Sequence, residues 1–497
     1  MDVHVQTQLG ILCGEQKEGF IQFLGVPFAK PPIGELRFRK PVPMEPWNGV
    51  RLAKKFTSYC IQPGKPERID KSIKDSEDCL TLNIFTPACD SRKRPVVVWI
   101  HGGAYLTGNH TSATKMGGKM CIDSDIVVVP IQYRLGVFGC INFASLSGAR
   151  GRFDTNCGTW DQLAAVNWVI ENISRFGGDP ECITLMGESA GACSVLTLMT
   201  SPYLKRKIRR AVMDSPAPHL INTEENGRIA ALDVIQRLGI SEKEAYKVVD
   251  LPADVLTRAV EKSEYDYVNH YPYLIPTAPV VDGDLIPELP YDAVMHGAAD
   301  GIQVLVGTTR DEATLFAQGK KTDIFPATVT QMDKFFADHL NLDENEILNL
   351  YPDYPSKRAF QEIGKEVFFH LPTLDIAYHM AKHAKVYVFH FDYALPIIKL
   401  LGFGAAHCTN SAFTAGIPIK TFLGWFAGKK GKLMRNRVHH YWCNFIATGN
   451  PNGNGEPEWL ECGKERNINF LDIECHLEQA PFEKERRTYG ILRPYGN

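Results

Sequence analysis

The chain has 497 residues, of which 44% are hydrophobic, 22% charged and 10% aromatic, the composition of an ordinary globular protein with a large core. A formal net charge of -3 excludes the global basic field of a nucleic-acid binder. No run approaches the roughly 18 consecutive apolar residues of a membrane helix, so no stable membrane anchor is expected.

The first residues, Met1-Asp2-Val3-His4-Val5-Gln6-Thr7, have neither the basic nor the apolar region of a signal peptide, which predicts a cytoplasmic protein. Residues 1 to about 30 read as short alternating strands, with turns at Gly10, Gly14 and Gly25. Pro27, Pro31, Pro32, Pro41, Pro43 and Pro46 impose an extended crossing up to Trp47. Residues 62–77 are polar and predict a surface loop, and residues 80–85 alternate like a half-buried strand. Residues 95–100, 126–131 and 183–186 are continuous apolar runs, the pattern of strands covered on both faces. Between the last two, residues 163–170 have helical spacing, and Gly177-Gly178-Asp179-Pro180 is expected to break the chain before the next strand. Strand, helix, strand, helix is a doubly wound α/β plan, with ligands at the carboxyl ends of the strands.

The basic cluster Lys205-Arg206-Lys207 with Arg209-Arg210 is expected at a helix end, where cations suit the dipole. Residues of about 220–275 and 320–380 have helical periodicity, many charges and few β runs. They include the aromatic clusters Tyr265-Asp266-Tyr267 and His270-Tyr271-Pro272-Tyr273. They read as helical insertions capping a site within one domain, 1–497, because strand-like runs resume at 302–307 and 386–391. The thirteen cysteines are scattered and lack paired metal spacing, so no zinc site is expected. Cys121, Cys140, Cys157 and Cys193 read as buried thiols of a reducing compartment.

Gly187-Glu188-Ser189-Ala190-Gly191 stands between the apolar run 183–186 and a helix-like run, the context of a nucleophile elbow. A serine hydroxyl needs a base, and in α/β-hydrolases the partners follow in the order Ser, Asp/Glu, His, each on a loop after a strand. After the strand-like run at 302–307 come Asp311 and Glu312, either of which could be the acid. His407 lies in a small-residue loop, Gly402-Phe403-Gly404-Ala405-Ala406-His407, beyond the run at 386–391. His219 comes too soon after the elbow, and His379, His383, His390, His439 and His440 read as structural. His101-Gly102-Gly103-Ala104-Tyr105 follows a buried strand, where an oxyanion hole belongs. Its donors are expected to be the N–H groups of Gly103 and Ala104, joined by that of Ala190.

Several further motifs carry a family resemblance. Gly187-Glu188-Ser189-Ala190-Gly191-Ala192, preceded by Phe176-Gly177-Gly178-Asp179-Pro180, resembles the type-B carboxylesterase family, which includes the cholinesterases. Gly25-Val26-Pro27-Phe28-Ala29 through Pro32, Gly34, Arg37-Phe38 and Trp47 is similar to the family's N-terminal signature. Ser76-Glu77-Asp78-Cys79-Leu80-Thr81-Leu82-Asn83-Ile84 is similar to its second signature. Tyr133-Arg134-Leu135-Gly136, Asp161-Gln162, Pro279-Val280-Val281-Asp282-Gly283 and Trp442-Cys443-Asn444-Phe445 extend the likeness over nearly the whole chain. It points to the bacterial p-nitrobenzyl-esterase-like members in particular.

The resemblance implies an α/β-hydrolase fold: a large mixed, mostly parallel central sheet flanked by helices, with helical cap insertions. It implies Glu312 rather than Asp311 as the acid, and buried structural ion pairs Arg37 with Glu77 and Arg134 with Asp161. The implied reaction is hydrolysis of small-molecule carboxylic esters through an acyl-enzyme on Ser189, with Glu312 and His407 completing a triad. Gly102 and Glu188 are expected to line the substrate pocket. No metal or organic cofactor is implied, and a monomer or weak homo-oligomer is expected.

The chain departs from the family pattern in three places. Ala104 stands where a third oxyanion glycine is usual, a variation some bacterial members share. Asn410 stands where an acidic residue is common, and Asp214-Ser215-Pro216 where Gln-Ser-Gly is common. Cys60 and Cys79 match a disulfide of secreted members, but in a reducing cytoplasm they are expected to be thiols. Competing readings are a catalytically silent adhesion module, which the intact set of site residues disfavours, and amide, lactone or carbamate hydrolysis, which the same acyl-enzyme would serve. Choline esters are not expected, because the interval between Cys60 and Cys79 holds no aromatic residue for a quaternary ammonium.

Overall fold

The continuous apolar runs form the middle of one large sheet. The computed structural model describes the chain apart from residues 65–71, 271–274, 317–324, 326–327, 339–341, 419–426, 454 and 491–497 and the side chains of 264–270 and 338. In chain order the strands are β1 (Asp2–Gln6), β2 (Ile11–Gln16), β3 (Ile21–Pro27), β4 (Val50–Leu52), β5 (Tyr59–Cys60), β6 (Asp75–Ser76), β7 (Thr81–Thr86), β8 (Arg94–Ile100), β9 (Val127–Ile131), β10 (Gly178–Glu188), β11 (Arg210–Asp214), β12 (Gln303–Thr309), β13 (Val386–Phe391), β14 (Asn467–Leu471) and β15 (His476–Gln479). β5 and β6 pair with each other, and the rest form the sheet, in the order β1-β2-β3-β7-β9-β8-β10-β11-β12-β13-β14-β15 with β4 beside β2. From β9 to β14 along that order the neighbours are parallel, and antiparallel strands flank this block on both sides.

The buried residues of β8 alternate between two cores. Val96 and Val98 pack in the core that includes Leu163 and Val166 of the helix Cys157–Asn172 and Val195 of the helix Ala190–Thr200. Val97 packs in the opposite core, with Met116 of the helix Thr114–Ser124 and Met434 and Trp442 of the helix Gly428–Thr448. Both faces of the strand are covered, which is why its sequence is apolar without alternation. The chain passes from β8 to β9 on one side and returns to β10 on the other. Such a change of direction in the strand order is where α/β sheets place their sites, at the carboxyl ends of the strands. Register keeps those ends level: Ile100 stands beside Gly187, Glu188 beside Asp214, and Asp214 beside Gly307.

The Gly-Gly-Asp-Pro segment does not break the chain before β10. Gly178 pairs with Arg94, the register then shifts, and pairing resumes at Ile183 with Val96, so the segment is an irregularity within the strand. The basic cluster does not sit in the last turn of the elbow helix, which holds no basic residue. It follows a short turn at Pro202–Leu204, and Arg210 opens β11, where it donates to the carbonyl of Ile446.

The two insertion ranges hold the helices Glu224–Arg237 and Ala253–His270, and then Val329–Asp338, Glu344–Leu348, Lys357–Lys365 and Leu371–Met380. The side chains of Tyr265, Asp266, Tyr267 and His270, and residues Tyr271, Pro272 and Tyr273, lie outside the described residues. Among the described residues no helix is long and apolar enough to cross a membrane. All thirteen cysteines are free thiols, with Cys60 Sγ 2.7 Å from Cys79 Sγ.

Candidate active site

Ser189 stands between the end of β10 and the first residue of the helix Ala190–Thr200, with φ 57° and ψ -128°. A side chain held at positive φ costs about 1–3 kcal/mol, and surrounding structure must enforce it. Here the Ser189 N–H donates to the carbonyl of Asp214 at 2.9 Å, and its own carbonyl accepts from the Cys193 N–H at 3.0 Å. The flanking glycines allow the close approach. A Cβ on Gly187 would lie 2.3 Å from the Gly191 backbone, and one on Gly191 would lie 2.1 Å from the Ile100 carbonyl oxygen. The serine is thus presented, half-buried, at the level carboxyl ends of β8, β10 and β11.

Glu312, fully buried, follows β12 and meets His407. One carboxylate oxygen accepts from the Thr309 N–H at 2.7 Å and from the Ser215 hydroxyl at 2.5 Å, and the other is bonded to Nδ1 of His407. Burial opposes ionisation of Glu312, but His407, Ser215 and Thr309 together hold it below the usual glutamate value. The neighbouring Asp311 does different work. Its Oδ2 accepts from the Ala405 N–H at 2.7 Å and its N–H donates to the Ala405 carbonyl at 2.9 Å, fixing the histidine loop. The imidazole also lies against Phe369 and Phe316, with ring centroids 4.8 and 5.2 Å away.

Nε2 of His407 is buried and has no hydrogen-bond partner among the described residues, the Ser189 hydroxyl included. Such bonds are often long in a free enzyme and tighten with substrate. Nε2 lies 3.3 Å from Oε1 of Glu188, the residue before the serine, and the same oxygen accepts from the Cys408 thiol at 2.7 Å. Burial raises the Glu188 carboxyl above its usual value. For His407, burial opposes the imidazolium, but Cys408, Glu312 and Glu188 outweigh it and hold the imidazole well above the ordinary histidine value.

The loop after β8 is pressed onto the elbow. A Cβ on Gly102 would lie 2.5 Å from the Glu188 carbonyl oxygen and 3.1 Å from Ser189 Cβ. Gly103, at φ 108°, and Ala104, at φ 54°, turn the chain back, and the Ala104 carbonyl accepts from the Thr277 hydroxyl at 3.0 Å. Among the described residues, no carbonyl or side chain accepts from the N–H groups of Gly103, Ala104 or Ala190. His101 anchors the loop from beneath: its ring stacks on Tyr133 at 4.5 Å and its carbonyl accepts from the Tyr133 hydroxyl at 2.8 Å. Burial pushes the His101 imidazole down to about 4, so it adds no charge at neutral pH.

The sequence pattern of the carboxylesterase family matches residues 1–489. The chain belongs to the carboxylesterase family. It is 32% identical to the para-nitrobenzyl esterase of Bacillus subtilis (strain 168), over 97% of each chain. It is 30% identical to an acetylcholinesterase of Leptinotarsa decemlineata, over 90% of this chain and 79% of that one. Among solved structures, a carboxylesterase of Geobacillus stearothermophilus shares 32% identity over 98% of this chain and 100% of that one, with a TM-score of 0.85. A PNB esterase gives a TM-score of 0.86 at 30% identity, over 98% and 99%. These likenesses make the fold an α/β-hydrolase and the protein a serine carboxylesterase.

The two ion pairs implied by the family differ in setting. Arg134 and Asp161 are fully buried and bidentate, at 2.7 Å through both Nε and Nη2. Arg37 and Glu77 are also bidentate but keep 14% of each side chain exposed, so this carboxylesterase has one buried pair and one half-buried pair. Arg37 also donates to the carbonyls of Val249 and Leu251. Ser215 preserves its contact with the acid although its neighbours depart from the family pattern. Asn410 is fully buried, with neither side-chain atom hydrogen-bonded among the described residues.

Of the other histidines, His390 pairs with Asp392, His439 with the Thr414 carbonyl and His440 with Glu456, while the rings of His379 and His383 meet at a tilt, as do those of His219 and Tyr291. Sequence reasoning passed over the Cys408 contact and the two phenylalanines around His407, because their neighbourhood is made by folding rather than by spacing.

Proposed function

We propose that this carboxylesterase works through an acyl-enzyme on Ser189, with His407 as base and then acid and Glu312 as the carboxylate that orients it. The observation that carries this reading is the engagement of His407 Nδ1 by buried Glu312, which leaves the Nε2 lone pair on the side of the elbow. Nε2 takes the serine proton as Oγ attacks the ester carbonyl, and returns it to the departing alcohol. The carbonyl oxygen gains negative charge in the transition state, and the N–H groups of Gly103, Ala104 and Ala190 receive it. Each such donor is worth about 2.7–4 kcal/mol when already in place. Water then repeats the sequence on the acyl-serine and frees the acid.

Gly102 and Glu188 bound the pocket beside the serine. The substrates we propose are uncharged small-molecule esters of short to medium acyl chains. The name of the Bacillus subtilis relative makes p-nitrobenzyl esters suitable probes. The interval between Cys60 and Cys79 lacks an aromatic residue, which argues against choline esters as substrates. Thirteen free thiols suit a reducing compartment, and we place the protein in the cytoplasm as a monomer or weak homo-oligomer.

A fluorophosphonate should label the wild-type chain stoichiometrically and leave Ser189→Ala unlabelled, with ester turnover reduced by about 10⁴-fold or more. Labelling that persists in the variant refutes the assignment of the nucleophile. In a panel of p-nitrophenyl esters, acetate to hexanoate should have higher kcat/KM than palmitate, and a palmitate optimum would contradict the acyl range.

A further inference from the structure

Glu188, His407 and Cys408 present a carboxylate oxygen, an imidazole nitrogen and a sulfur that all lie within 4.8 Å of one another. The spacing of cysteines in the sequence does not reveal this group, since Glu188 and Cys408 are 220 residues apart. We infer that these three side chains form a binding site for a borderline-soft divalent cation, zinc, and that its occupancy blocks ester hydrolysis.

The donor set selects the metal. Thiolate and imidazole ligands suit zinc and are poor ligands for magnesium and calcium, which prefer all-oxygen shells. Three protein ligands and one open position form the arrangement in which zinc keeps an exchangeable site. The imidazole is already set for ligation. Its Nδ1 is bonded to the buried carboxylate of Glu312, the outer partner that commonly fixes a metal-binding histidine, and its Nε2 is buried without a hydrogen-bond partner among the described residues. The lone pair of Nε2 thereby faces the Glu188 carboxylate, 3.3 Å away, with no hydrogen bond between them. With the imidazole neutral, a cation between Nε2 and the carboxylate would bond to both. Cys408 and Ser189 are both half-buried rather than sealed in the core. On ligation the Cys408 thiol releases its proton to solvent and gives up its hydrogen bond to Glu188, and the sulfur binds zinc as thiolate.

The inhibition rests on the reading of His407 as the base, since the metal occupies the lone pair that must accept the serine proton. Zinc at this place is an inhibitor and takes no part in hydrolysis.

The test uses the full chain, with zinc chloride as ligand and cobalt(II) as a spectroscopic substitute. Cys408→Gly is the variant of choice, because Cys408 has φ 67°, a conformation glycine adopts freely. Cys408→Ser, which keeps a donor of similar size without the thiolate, serves as a second. Zinc should inhibit p-nitrophenyl butyrate hydrolysis reversibly, with activity restored by EDTA. Each variant, measured against its own uninhibited rate, should need at least about ten-fold more zinc. Cobalt(II) should give a near-ultraviolet thiolate charge-transfer band in the wild type and not in either variant. Equal zinc sensitivity in the variants, or no thiolate band in an active wild-type enzyme, would overturn the site and leave the esterase reading intact. A thiolate band with undiminished hydrolysis at saturating metal would overturn the blockade and the role of His407 as base.

Discussion

His407 lies between two carboxylates, Glu312 at Nδ1 and Glu188 3.3 Å from Nε2. Both favour the imidazolium, and with Cys408 they outweigh the burial that opposes it, so the group titrates above the ordinary histidine value of about 6.5. A base must be neutral to accept the serine proton. Activity is therefore present above the raised value and lost as pH falls through it. The acid limb of kcat/KM should have an apparent pKa above that of a free histidine. Glu188→Gln removes one of the two charges and should move this limb to lower pH. A limb that stays in place in the variant would mean that Glu188 does not act on the base. At this scale the sequence was legible for Ser189, because an apolar run, two glycines and a helical run surround it. It was not legible for Cys408, whose contact with Glu188 depends on two loops brought together by the sheet.

At the scale of elements, the buried pair Arg134–Asp161 ties the turn after β9 to the helix Cys157–Asn172. Tyr133, the residue before this arginine, holds the carbonyl of His101, so the pair sits one residue from the support of the oxyanion loop. Replacing one partner leaves a buried charge alone, at a cost of about 3–5 kcal/mol. Arg134→Met should therefore lower the urea midpoint by more than Arg37→Met, whose partner Glu77 retains access to water. The reverse order would show that the tether from Arg37 to Val249 and Leu251 matters more than burial. Family likeness implied both pairs but not their different depth, which depends on how the chain folds around each. Apolar runs likewise marked the strands. They could not show that Gly178 pairs with Arg94 ahead of the register shift, because a bulge and a chain break use the same residues.

At the scale of the whole molecule, the site is assembled from two bodies above one sheet. The first is the elbow with the loop after β8, pressed together so closely that added methyl groups would lie within 2.1–2.5 Å of backbone. The second joins the segment after β12 to the histidine loop. Asp311 and Ala405 exchange bonds in both directions there, and the Thr314 hydroxyl donates to the Phe403 carbonyl at 2.6 Å. Ser189 and the N–H groups of Gly103, Ala104 and Ala190 belong to the first body, Glu312 and His407 to the second. Among the described residues the Cys408 thiol donates across to Glu188, and the Ser215 hydroxyl, just after β11, donates to Glu312.

That division makes the enzyme's working parts a pair of jaws that must stay in register. Proton transfer depends on sub-ångström alignment across the joint, whereas the secondary structure of each jaw does not. Warming should therefore disable the catalyst while its helices and strands persist. Ester turnover should fall at a temperature several degrees below the far-ultraviolet circular dichroism transition, and return on prompt cooling. Coincident loss of both signals would show that the two jaws move as one.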